Sequence, residues 1–94
     1  MDLEAFKASL AEDRPPAGAS QALQALWQEA KGDWDGAHKS AQAQDDAVGA
    51  WVHAYLHRVE GDERNAGYWY RRADKPKSDA PLAEEWEQIV GALL

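Results

Sequence analysis

Two histidines four residues apart, His53 and His57, stand in the stretch HAYLHRVEGD, followed by Glu60 and a Gly61-Asp62 pair. On a helix this spacing puts both imidazoles on one face, with Glu60 a further turn along. Two imidazoles one turn apart can reach one metal ion, and a carboxylate can complete three ligands while leaving a position for water. His53, His57 and Glu60 are therefore the candidate metal ligands, with His38 as a fourth to be tested. The H-E-x-x-H arrangement of zinc proteases is absent, because Ala54 occupies the place of its general base. A structural reading competes with the metal: each ring could instead hydrogen-bond a loop carbonyl or a tyrosine.

A second group of chemistry-bearing residues follows at once. Tyr68, Trp69 and Tyr70 precede Arg71 and Arg72, with Asn65 one turn before Tyr68. Tyrosine or tryptophan rings beside guanidinium groups can stack on a ligand, and an amide can orient it. At helical spacing such aromatics also serve packing, and Tyr70, in register with Ala66 and Ala73, reads as core. Trp69 is expected to close the groove between helices, which leaves Tyr68 the more exposed ring. Arg58, Asn65, Tyr68 and Arg71 thus join His53, His57 and Glu60 as ligand or partner candidates. No Gly-rich phosphate loop, nucleophile elbow or Ser-His-Asp pattern is present, so no catalytic residue and no cofactor is assigned.

The elements that must position these groups are helices. Alanine, glutamine, glutamate and leucine dominate, and no stretch alternates apolar and polar residues for long. The first helix is expected from Asp2, as N-cap, to Glu12, with Leu3, Phe6 and Leu10 on one face, before the Pro15-Pro16-Ala17-Gly18 connector. The second starts near Ser20, carries Leu23, Leu26, Trp27 and Ala30, and ends at Gly32. Asp33 caps the third, which runs to about Ala43. Asp45 or Asp46 starts the fourth, whose stripe Val48, Val52, Leu56 and Val59 is flanked by Trp51 and Tyr55. Gly61 ends it, and Asp62 caps the fifth helix, which Pro76 forbids from continuing. Pro81 opens the sixth, with Leu82, Trp86, Ile89, Val90 and Leu93 as its buried side. On a helical wheel the fourth helix centres its stripe on Val52 and carries His53, His57 and Glu60 on the shoulder.

With 94 residues the chain has room for one core, and five tryptophans supply large apolar bodies for it. It is expected to be one all-α domain: an N-terminal helix over 1–13, two antiparallel helical hairpins over 20–76 and a C-terminal helix over 80–94. The absence of cysteine rules out disulfides and thiolate metal sites and suits a reducing cytoplasm. Met1-Asp2-Leu3-Glu4 lacks the basic-then-apolar pattern of a secretory signal, and no apolar run approaches the ~20 residues that span a bilayer. A cytoplasmic protein without membrane contact is the expectation. A net charge of −7 argues against nucleic acid, whose backbone is bound by neutralising cations. The charge is uneven: residues 64–77 hold five cations against Asp74 alone.

The two hairpins repeat. A shift of 29 residues lays Ala25, Gly32, Asp33 and Ala37 onto Ala54, Gly61, Asp62 and Ala66. Gly-Asp sets a tight turn, and the alanine five residues after the glycine allows two helix backbones to approach. In GDERNAGYWYRRADKP, the residues Gly61, Asp62, Ala66, Tyr70, Ala73 and Pro76 resemble the turn and second helix of a tetratricopeptide repeat, and YWYRRA is similar to the related Sel1-type repeat. GDWDGAHKSAQAQ keeps Gly32, Asp33 and Ala37 but has Ala41 and Gln44 where the pattern prefers an aromatic and an alanine. The resemblance covers residues 22–76. The block AWVHAYLHRVEGDERNAGYWYRRA is also similar to a group of small uncharacterised bacterial and fungal proteins, which brings no activity with it. What the repeat resemblance implies is a helical module that binds another protein or a second copy of itself through a groove formed by helices two, four and six. The rival expectation is a small-molecule or metal-binding protein that uses the His53, His57 and Glu60 face.

Overall fold

In the computed structural model, which describes residues 1–94, the chain forms six α-helices and no strand. Asp2 accepts from the Ala5 N–H at 2.9 Å and opens α1, Leu3–Ala8. The helix was expected to reach Glu12, but α-geometry ends at Ala8 and a single 3-10 turn, Ser9–Ala11, follows. The Ser9 hydroxyl bonds back to the Phe6 carbonyl, and the Ser9 carbonyl accepts from the Glu12 N–H at 2.9 Å and from the Trp27 indole at 3.3 Å. Side-chain bonds of this kind compete with the α-helical ladder at a helix end.

Two hairpins follow, α2 (Gln21–Ala30) with α3 (Trp34–Ala43) and α4 (Ala47–Glu60) with α5 (Glu63–Ala73). Their turns share one geometry. Gly32 and Gly61 take φ of +87° and +85°. Asp33 N–H returns to the Gln28 carbonyl at 2.8 Å, as Asp62 N–H does to that of His57 at 2.9 Å. These are Schellman closures, for which glycine is the residue without a Cβ penalty. Each aspartate then caps the next helix, Asp33 accepting from Gly36 N–H and Asp62 from Asn65 N–H. Ala25, Ala37, Ala54 and Ala66 are all fully buried, so the repeated alanines are where the paired helices meet. Gln44, which departs from the repeat pattern, accepts the Ala22 N–H at 2.8 Å and so serves the N-terminus of α2. Between the hairpins Asp46 caps α4 through Gly49 N–H at 2.8 Å. α5 ends with Asp74 in the left-handed region at φ +56°, and Pro76 follows.

α6, Leu82–Leu93, lies across α2 and α4 with α1 beside it. Phe6, Leu23, Leu26, Trp27, Val52, Tyr55, Leu56, Trp86, Ile89 and Val90 form the main core there, and Ala54, Ala66 and Tyr70 form a smaller one between α4 and α5. The Trp86 indole donates to the Leu26 carbonyl at 3.0 Å. Several residues expected on buried faces are not fully so: Leu3, Leu10, Val48, Val59 and Leu93 are half-buried, and Leu82, in the first turn of α6, is 39% exposed. The terminal helices thus cover the apolar faces a two-hairpin unit would leave open, and the large hydrophobic residues still exposed are Met1, Tyr68, Leu82 and Leu94. No helix is long and apolar enough to cross a membrane.

Candidate functional site

Where α3, α4 and α5 meet, the three histidines of the chain come together. Helical spacing carries His53 and His57 on one side of α4, and the tight packing of α3 on α4 brings His38 to them. Their rings lie 5.7 Å (His38–His53), 5.9 Å (His38–His57) and 5.0 Å (His53–His57) apart, centre to centre. One nitrogen from each falls within 4.8 Å of the others. His53 is the most enclosed, 6% exposed. It was expected on the shoulder of the helix, but α5 covers that shoulder: Trp69 stacks on the His53 ring at 4.0 Å and His57 stacks on its other face. Burial, then the neighbouring His57 and His38, lower the pKa of His53 to about 4, so this ring is neutral at physiological pH.

The expected ligand set His53, His57 and Glu60 is regrouped. His57 and Glu60 belong together with Asp62, whereas His53 and His57 belong with His38. His57 Nδ1 lies 3.2 Å from Glu60 Oε1 and 3.9 Å from Asp62 Oδ2. The expectation that each imidazole fixes a loop carbonyl or a tyrosine is not met. His57 is held by a carboxylate, His53 by stacking, and it is His38 whose Nδ1 approaches a carbonyl, that of Trp34, at 3.4 Å.

The other candidates divide. Arg58 is committed to structure, donating to Glu85 Oε1 and to the Ala80 carbonyl, both at 2.7 Å. The Glu85 carboxylate, 2% exposed, also accepts the Tyr70 hydroxyl, so one buried acid ties α4, α5 and α6. Asn65 is likewise structural, its amide donating to Asp62 Oδ2 at 2.6 Å. Hydrogen bonds from Asn65 hold the Asp62 carboxyl below the usual range. Tyr68 is 40% exposed, stacks on Trp69 at 5.2 Å and accepts from Arg72 Nη1 at 3.2 Å. The Arg72 guanidinium, 5.1 Å from the Trp69 ring centre, takes the place expected of Arg71, which stays exposed without a polar partner. His53, Trp69 and Arg72 line one side of a polar cavity of about 310 Å³ whose other side is Gln42, Gln44 and Asp45.

A second concavity, about 290 Å³, opens among Leu10, Ala30, Tyr55, Ala83 and Trp86, with the Lys7–Glu87 ion pair at its rim. This is the groove expected between helices two, four and six, narrowed by α1. Glu29, half-buried, sits in it with no ion-pair partner, and burial raises its pKa. Burial first, then the Glu29 and Glu85 carboxylates, hold the Tyr55 phenol above its usual range. Nothing in the sequence singled out Glu29, since an acidic residue on a helix surface is ordinary and the groups that enclose it come from α1 and α6. Comparison with protein-family models, curated proteins and solved structures found no match.

Proposed function

We propose that the protein is a tetratricopeptide-like helical module that binds a protein partner in the cleft between α1, α2, α4 and α6. One observation carries this reading: the half-buried Glu29 carboxyl has no ion-pair partner in a cleft walled by Leu10, Ala30, Tyr55, Ala83 and Trp86, whose other charged groups, Lys7 and Glu87, pair with each other at 3.4 Å. A carboxylate in such a place gains most from an incoming cation, and the walls gain from apolar side chains. The matching partner is a short amphipathic segment that offers Lys or Arg among apolar residues, and the net charge of −7 favours its approach. The repeated Gly-Asp turns and buried alanines support the repeat-type architecture. A cysteine-free chain is in keeping with a cytoplasmic setting.

Amide NMR titration with leucine-lysine helical peptides tests the reading. Shifts concentrated at Tyr55, Ala83 and Trp86, weakened in Glu29→Gln, are expected. Shifts elsewhere, or indifference to Glu29→Gln, would refute it. Self-association is the same reading with a second copy as partner, whose basic 64–77 segment would have to enter the cleft; sedimentation that shows a monomer at every concentration removes that form. The alternative is a small-molecule or metal-binding protein at the histidine face, favoured by the cavity that His53 and Trp69 share.

A further inference from the structure

Three imidazoles rarely meet by packing alone, because each must leave water and find partners for two ring nitrogens. Stacking accounts for two of them here. Trp69, His53 and His57 form one column, with interplanar angles of 16° and 7°. His38 is outside the column, packs edge-on to the Trp34 ring at 4.4 Å and stands at 90° and 85° to the two histidines. It comes from a different helix and brings a nitrogen into the same small volume.

The outer contacts of the rings decide which nitrogens are free. A backbone carbonyl and an ionised carboxylate can only accept, so His38 Nδ1 facing the Trp34 carbonyl and His57 Nδ1 facing Glu60 are the protonated nitrogens. In the neutral rings the lone pair is then on Nε2. A metal-binding histidine typically has its outer N–H held by a carbonyl or carboxylate in this way. Glu60, and Asp62 behind it, are better placed to orient His57 than to bind the metal themselves.

We propose that His38, His53 and His57 bind one divalent transition-metal ion, with Glu60 and the Trp34 carbonyl orienting the outer two rings and one coordination position left to water. Nitrogens about 2.0–2.1 Å from zinc in a tetrahedral arrangement lie about 3.3 Å apart. The present separations, within 4.8 Å, and the nearly parallel His53 and His57 planes require these rings to rotate out of their stack so that each in-plane lone pair meets the ion. A donor set of three imidazoles selects borderline ions such as Zn²⁺, Co²⁺, Ni²⁺ and Cu²⁺ over Mg²⁺ and Ca²⁺, which require oxygen. The ion would cross-link α3 to α4. This inference gives the alternative reading of the histidine face a definite ligand, and it stands independently of the partner cleft, which uses none of these residues.

The test is titration of the chelator-treated full chain with Zn²⁺ and Co²⁺, with Mg²⁺ as control. One equivalent is expected to bind, Co²⁺ with the intense visible bands of a four-coordinate ion and with the ring resonances of all three histidines shifted. His38→Ala should weaken binding by about 100-fold or more, and Glu60→Gln by about 10-fold. Mg²⁺ should have no effect. If His38→Ala binds as tightly as the wild type, the ion sits on the His53/His57 pair alone and the three-histidine site is wrong. If the wild type takes up neither ion at one equivalent, or gives only weak six-coordinate Co²⁺ bands, the proposal also fails. The histidine resonances of the wild type decide the matter without any variant, should His38→Ala not fold. Neither result bears on Glu29, so the cleft is judged separately.

Discussion

Glu85→Ala is the substitution for which the structure makes its sharpest demand. The carboxylate is 2% exposed and takes two donors, Arg58 Nη1 at 2.7 Å and the Tyr70 hydroxyl. The Arg58 side chain is itself only 11% exposed, so deleting Glu85 strands a largely buried cation and a buried phenol. Removing one member of a buried pair costs about 3 to 5 kcal/mol, mostly the penalty of the charge left behind. Arg58 retains its bond to the Ala80 carbonyl at 2.7 Å, and its partial exposure lets water reach it, which favours the lower end, about 3 kcal/mol. A domain of this length has about 5 to 14 kcal/mol of stability in total, so the loss is large but need not unfold the chain. Urea denaturation followed by tryptophan fluorescence should show the midpoint fall with little change in slope. Arg58→Met combined with Glu85→Ala should recover part of the loss, because it removes the stranded cation. A cost below about 1 kcal/mol for Glu85→Ala, or strict additivity in the double variant, would refute the assignment of this acid as the tie between α4, α5 and α6.

The turn between the hairpins gives the second prediction: a Cβ at Gly49 would meet the Gln44 carbonyl oxygen at 1.8 Å, so Gly49→Ala should cost about 1 to 3 kcal/mol by thermal unfolding despite alanine's better helix propensity. Gly61→Val places a β-branched residue at φ +85° where nothing crowds the side chain, so its cost, on the order of 1 to 2 kcal/mol, is backbone strain alone. Asp62→Ala removes the cap on Asn65 N–H and should cost about 0.5 to 2 kcal/mol; unchanged denaturation midpoints for both variants would overturn the turn assignment. For the metal-free protein, His53 with a folded pKa of about 4 against 6.5 unfolded means that the unfolded chain binds the extra proton between those values. The contribution, at most about 3 kcal/mol, is complete above pH 6.5 and lost as pH falls toward 4. His38, His57 and Arg72 face the same space, so the wild type is compared with His53→Phe, whose stability should fall less over that interval; equal slopes would show that His53 is not buried neutral.

The order of the helices and their turns was legible in the sequence because it is local chemistry. Asp2, Ser20, Asp33, Asp46 and Asp62 each cap the helix they precede, and Gly32 and Gly61 take the positive φ that a Schellman turn needs. The 29-residue repeat was likewise readable, since four identities fall on the turn and on the alanines where helix backbones touch. The early end of α1 was not, because it depends on Trp27, 18 residues further along the chain, reaching the Ser9 carbonyl.

The functional groups show the same division more strongly. His53 and His57 share a helix, so their spacing predicted a common face, but whether His38 or Glu60 completes a set depends on the packing of α3 against α4. That packing brings in His38, while Glu60 stays one turn from His57 on α4 and meets its outer nitrogen. Arg58 looked like a free cation on the same stretch; Glu85, 27 residues away, makes it a structural one. Glu29 carried no signal in the sequence; the cleft that half-buries it is built from distant residues of α1 and α6. Local signals of capping and periodicity act within one or two turns and are written in adjacent residues. Which titratable groups face one another is set by helices that meet across the core, and a single sequence carries no comparable signal for that.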